Sequence, residues 1–267
     1  MDRSRFGGGD IATLVLALWL ALASLPSPVV AQFGPLLSPS QAPQARSQDE
    51  LDAYLDITTT THADDLVKEV NVFVSRFPKS ELCGIAYQYQ MHAFAQLNNF
   101  GGMLAAGRKA LLANPDNLET LLTLAPAMAD HGSQEPHQAN LLAEAEEYAR
   151  RALQGIEKTQ IPRKLPLEHW DAEKRSMQAQ AHEVLGVVTL KRGEHRTAVE
   201  ELETAVRLDP DPPGVDFLRL GLAYASADTR QEAEKALRRA ADLGPETIRK
   251  LALNELETLA ASRSPLR

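Results

Sequence analysis

The chain of 267 residues carries 36 acidic against 28 basic side chains, a net charge of -8, and so lacks the clustered Lys and Arg that a phosphate-binding surface needs. Its single cysteine, Cys83, excludes an internal disulfide, which leaves stability to packing. With aromatics at only 5%, much Ala and Leu and no glycine-rich segment, the composition is helical and long enough for one or two domains.

Residues 1–31 read as a secretory signal peptide: Arg3 and Arg5 precede an apolar run over 11–25, followed by Pro26-Ser27-Pro28 and Val29-Val30-Ala31. Cleavage after Ala31, leaving Gln32 first, is the favoured site, and Ala23 is a second. The alternative is an uncleaved anchor, but the run falls short of the roughly 20 residues that a spanning helix needs. Export to the periplasm or outside the cell, with no stable membrane insertion after cleavage, is therefore expected. Cys83 lies too far along the chain to be a lipid-modified cysteine. Residues 32–48, rich in Pro, Ser and Gln, form a flexible tether.

Helical periodicity begins after the tether. A first helix-turn-helix unit, about 49–80, has Leu51, Tyr54 and Leu55 on the apolar face of one helix and Leu66, Val70, Phe73 and Val74 on the next. The second, 84–117, has Tyr87, Met91, Phe94, Met103, Gly107, Ala110 and Pro115 at matching intervals, with Asn98-Asn99 as its turn. The third, 118–158, carries an insertion at 130–139 between a stripe at Leu121, Leu124, Ala125 and Met128 and a second helix with Ala145, Ala149 and Ala152. Beyond Pro166 one stripe through Leu167, Trp170, Met177, Ala181, Val184, Leu185 and Val188 predicts a single extended helix over 167–191.

The last two units, 179–212 and 214–247, are copies of one pattern. Leu185-Gly186 aligns with Leu220-Gly221, and the pairs Thr189 and Tyr224, Ala198 and Ala233, Leu202 and Leu237, Ala205 and Ala240, and Pro210 and Pro245 follow at equal spacing. Gly186 and Gly221 leave room where the two helices of a unit cross, and the alanines let backbones approach. Pro210 and Pro245 lack an N–H and disfavour helix in the residue before them, so each closes a unit. Residues 245–262 form a last helix with one polar side, and 263–267 are a tail.

This spacing resembles the tetratricopeptide repeat, W-x2-L-G-x2-Y, then A-x3-F, then P, over about 34 residues. His182 and Phe217 stand where that family has tryptophan, and Thr189 replaces the tyrosine that Tyr224 keeps. The segment FVSRFPKS is similar to the F-x3-Y-P-x-S endings of bacterial-envelope repeat proteins, with Phe77 for tyrosine. The resemblance implies an all-α, right-handed α-solenoid of about five helix-turn-helix units plus a C-terminal capping helix. It further implies a partner segment held in a concave groove lined by first helices, here Gln88, His92, Gln96, Leu122, Glu183, Val187, Lys191, Leu218 and Leu222. The family's carboxylate clamp needs matched Lys and Asn, whereas this chain has Leu51, Gln88, Glu183 and Leu218, so that use is not expected.

No H-E-x-x-H, cysteine pair, G-x-S-x-G, G-x-G-x-x-G or G-K-[ST] accompanies the repeats, so no catalytic, metal or cofactor site is expected. Cys83 reads as a small hydrophobe at a helix start, the alternating charges of AEAEEYARRA as a solvated face, and Trp170 as a packing residue. The function expected is a non-enzymatic protein-interaction scaffold or adaptor of the bacterial envelope. The alternatives are structural self-association, raised by the long helix at 167–191, and a hydrolase using His131 and His137 of the insertion.

Overall fold

The computed structural model describes residues 43–131, 138–159 and 166–261. The signal peptide and the tether up to residue 42, His137, most of the insertion and the tail at 263–267 lie outside the described residues. Among the described residues the secondary structure is all-α. The helices are α1 (Gln48–Thr59), α2 (Ala63–Arg76), α3 (Cys83–Gln96), α4 (Phe100–Ala113), α5 (Leu118–His131) and α6 (Gln138–Lys158), then α7 (Leu167–Lys191), α8 (His195–Leu208), α9 (Gly214–Ser226), α10 (Arg230–Leu243) and α11 (Glu246–Ala261).

The chain divides into two compact units. Of the described residues, the first holds 43–124 together with 150–159, and the second holds 125–131, 138–149 and 166–261. The division falls inside α5 and α6 rather than between helix pairs, and in α5 it lies beside Pro126, whose missing N–H interrupts the helical ladder.

Local sequence explains the helix ends. Ser47 Oγ accepts from the Glu50 N–H at 3.2 Å, an N-cap bond that starts α1, while Glu50 Oε2 accepts from the N–H of Arg46, just before the cap, at 2.7 Å. Asn99 Oδ1 accepts from Gly102 N at 2.9 Å at the start of α4, and Asn117 Oδ1 from Thr120 N at 2.9 Å at the start of α5. Where the two helices of a pair meet, one device recurs three times. Asn98, Gly193 and Asp228 adopt left-handed φ of 53, 79 and 62° at the same offset in their repeats. The next residue's N–H then bonds back five residues: Asn99 to Phe94 O, Glu194 to Thr189 O and Thr229 to Tyr224 O, each at 2.9 Å. Each turn thereby satisfies carbonyls that the first helix leaves open.

In the first unit the core gathers Ile57, Leu66, Val70, Phe73, Leu82, Ala86 and Ala93. The face expected of α1 needs correction: Glu50 and Ile57 turn inward and Tyr54 is half-buried against the Phe73 ring, whereas Leu51 and Leu55 are exposed. With Glu50, Tyr54 and Ile57 on the inner side, residues one step further round the 3.6-residue turn point to solvent.

In the second unit a core of Phe217, Leu218, Leu222, Leu237, Ala240, Ala241, Ile248 and Ala252 joins α9 and α10 to α11, and another of Ala198, Leu202, Leu220, Ala223 and Ala236 joins α8, α9 and α10. Trp170 is buried in α7, in line with a packing role. A Cβ added to Gly186 would stand 2.5 Å from Leu202 Cγ, and one added to Gly221 2.7 Å from Leu237 Cγ, so the repeat glycines are where the paired helices touch. Ala198, Ala205, Ala233 and Ala240 are buried with them, whereas Pro210 and Pro245 are exposed and act through the backbone. Tyr224 is half-buried and donates its hydroxyl to Glu203.

Candidate functional site

In the first unit, α3 contributes Gln88, His92 and Gln96. Gln88 is buried, and its Oε1 accepts from Asn117 Nδ2 at 2.9 Å, so it braces the start of α5. His92 is half-buried, its Nε2 3.0 Å from Glu119 Oε1. Gln96 is exposed at the end of the helix. The neighbouring Gln90 donates to Asn71 Oδ1 at 2.9 Å and Val67 O at 3.3 Å, a second polar brace, between α2 and α3, that periodicity did not reveal.

In the second unit the expected groove is corrected more strongly. Val187, Leu218 and Leu222 are buried, and the latter two belong to the core with Phe217, Leu237 and Ile248. The expectation assumed one free stripe on each first helix. Instead α9 is buried almost all round, from Asp216 to Ala223, because α8, α10 and α11 all pack against it. Leu122 and Gln88 in the first unit are buried too, so neither they nor these three residues form an accessible lining.

Glu183 and Lys191 are instead drawn into a group of four charges from three helices of the second unit. Arg219 of α9 donates through Nη1 to Glu183 of α7 and through Nη2 to Asp130 of α5, 3.3 Å from Oδ1 and 3.5 Å from Oδ2. Lys191 Nζ, at the end of α7, donates to the backbone carbonyls of Ala129 and, at 3.0 Å, Asp130, closing the last turn of α5. Burial raises the Asp130 carboxyl above its ordinary range although Arg219, Lys191 and His131 oppose it. Burial likewise lowers the Lys191 ammonium to about 8, with Asp130 opposing. Folding thus disfavours both charges, the kind of expense that marks a candidate functional site more than a stabilising device. Arg219 had a visible signal, a lone charge inside the apolar stretch FLRLGLAY. Asp130 had none, since it stands first in the insertion expected at 130–139, whereas α5 continues through His131.

The remaining polar groups are separate from this cluster. His131 Nδ1 lies 3.1 Å from the Ala127 carbonyl of its own helix, a local bond that commits one ring nitrogen. His182 Nδ1 pairs with Glu201 Oε2 at 2.7 Å across α7 and α8. Cys83, half-buried, donates to Phe77 O at 3.3 Å, and burial raises its thiol pKa, the opposite of an activated nucleophile. Among the described residues no group of three or more His, Cys, Asp or Glu is arranged to hold a metal, and no helix is long and apolar enough to cross a membrane.

No protein-family model matches the sequence, and no curated protein does. Similarity appears among solved structures. MamA from Desulfovibrio magneticus RS-1 superposes with a TM-score of 0.50 at 14% identity, over 74% of this chain and 97% of that one. A thermophilic tetratricopeptide-repeat protein of Thermus thermophilus gives 0.46 at 18%, over 78% and 98%. Together with the repeated helix pairs, the likeness to MamA supports the all-α tetratricopeptide-repeat fold.

Proposed function

We propose that this tetratricopeptide-repeat chain is a non-enzymatic protein-interaction scaffold of the bacterial envelope, and that it engages a segment of its partner on the face where first helices bring polar side chains together. The observation that carries the reading is the charged group Asp130, Glu183, Lys191 and Arg219: three helices converge on it, burial disfavours the charges of Asp130 and Lys191, and Asp130, Glu183 and Lys191 are partly accessible. Groups that oppose folding are retained where they do something else. Proteins of this fold serve as interaction scaffolds, which supports protein binding in general. The signal-peptide pattern of residues 1–31 supports the envelope location.

Affinity capture from an envelope fraction tests the binding reading. The full chain should retain a partner that Glu183→Gln with Lys191→Met loses, both proteins melting cooperatively. A partner retained equally by that variant, or none retained by either, would refute the assigned face. Light scattering separates a scaffold from self-association, since a scaffold stays monomeric until its partner is added. N-terminal sequencing of the product recovered outside the cytoplasm should begin at Gln32, and a retained first segment would refute cleavage.

A further inference from the structure

Of the four charges on the second unit's first-helix face, Asp130 is held least tightly. Arg219 donates through Nη1 to Glu183, while a single nitrogen, Nη2, spans both oxygens of Asp130 at 3.3 and 3.5 Å. Charge-assisted N–H···O bonds run about 2.7–2.9 Å, and a bidentate pair uses two nitrogens, so the Asp130 carboxylate keeps acceptor capacity. Accessibility points the same way: the Asp130 side chain is 27% exposed against 10% for Arg219. Water on this face meets a carboxylate before it meets the guanidinium.

Electrostatics agrees at two ranges. Locally, the positive charge of Arg219 and Lys191 does not offset the burial of Asp130, whose carboxyl is still pushed up. A further cation at the open edge would supply the deficit. At long range the chain carries a net charge of -8, and residues 1–31 contribute Asp2 and Asp10 against Arg3 and Arg5, a balance of zero. The whole excess therefore belongs to the rest of the chain, which attracts and orients basic partners.

We propose that Asp130 receives a lysine or arginine side chain of a basic partner segment, with Arg219 and Glu183 as positioning residues that aim its carboxylate. The proposal rests on the scaffold reading and names the partner's chemistry. An acidic segment seeking Arg219 and Lys191 is the opposing possibility, and the test decides between them.

The test uses the full chain and two short fluorescein-labelled peptides, one alternating lysine and serine and the other glutamate and serine, read by fluorescence anisotropy. The lysine peptide should bind, increasingly weakly as salt rises, and the glutamate peptide should not. Asp130→Asn should weaken lysine-peptide binding by about tenfold, while Glu200→Gln, the same charge change at an exposed site on α8, should alter it by less than about twofold. Because Asp130 helps hold the end of α5, NMR shift mapping on the unaltered chain supplies a readout free of substitution. The largest shifts should fall on the last turn of α5 and around Glu183 and Arg219. Equal loss in the two variants, tighter binding of the glutamate peptide, or shifts confined elsewhere would overturn the proposal. An envelope partner captured equally by Asp130→Asn would remove it while sparing the scaffold reading; no partner and no peptide bound would remove both.

Discussion

At the scale of single residues, the repeat is a set of size constraints. Gly186 faces Leu202 and Gly221 faces Leu237, a small residue on the first helix admitting a large one on the second. In the second repeat unit the same offsets carry Met91, fully buried on α3, and Gly107 on α4, whose gap is filled by Leu124 of α5, 2.7 Å from where its Cβ would be. Gly221→Leu should therefore cost about 2–4 kcal/mol by overpacking, and Glu200→Ala, at an exposed site, within about 0.5 kcal/mol. Adding Leu237→Gly to Gly221→Leu should give a double variant more stable than the two losses summed, by about 1 kcal/mol, as two contacting residues do. Strict additivity in thermal melts would mean that the pair does not touch. These glycines were legible from spacing alone, because a gap is needed wherever two helices cross closely. Arg219 was legible only as an anomaly in an apolar helix, since its two acceptors lie 36 and 89 residues away in sequence.

At the scale of elements, the turn within each pair offers a clean measurement. Gly193 has nothing within 4 Å of an added Cβ, so Gly193→Ala meets only the left-handed backbone and should cost about 1 kcal/mol. Asn98→Gly and Asp228→Gly should be neutral to slightly stabilising, and a loss in either would show that those side chains matter beyond conformation. The last helix is a second case. Ile248 and Ala252 of α11 are buried with Phe217, Leu218 and Leu222, so removing residues 246–267 uncovers that cluster. The truncated chain should melt earlier and scatter light as an associating species, whereas unchanged melting and solubility would show that α11 is not a cover. The outward turn of Leu51 and Leu55 carries the complementary lesson. Apolarity alone assigned them to the core, but α1 turns Tyr54 and Ile57 toward α2 and α3 and leaves both leucines outside.

At the scale of the whole molecule, two buried titrating groups in the second unit shape the dependence of stability on pH. Burial, then the neighbouring Asp209, pushes the Asp216 carboxyl up to about 7. A raised acid holds its proton longer in the folded state, so its stabilisation is full at low pH and fades as pH rises from about 4 through its folded value. Lys191 is lowered to about 8, so folding disfavours its charged form and stability recovers as pH climbs from there toward the ordinary lysine range. Melting temperature should pass through a minimum near neutrality. Asp216→Asn should make the acid arm shallower, the raised Asp130 carboxyl keeping part of it, and Lys191→Met should do the same to the alkaline arm; a variant that leaves its own arm unchanged refutes that assignment. The repeat length, the helix pairs, the crossing glycines and the closing prolines were determined by the sequence by itself, because each depends on near neighbours or on a fixed period of the chain. The tertiary structure decided which sides of the first helices remain accessible. Val187, Leu218 and Leu222 have the spacing of a free stripe, yet packing of helices remote in sequence buries them, and the same packing assembles Asp130, Glu183, Lys191 and Arg219. Periodicity records that a helix has a side; only the surrounding helices determine what that side meets.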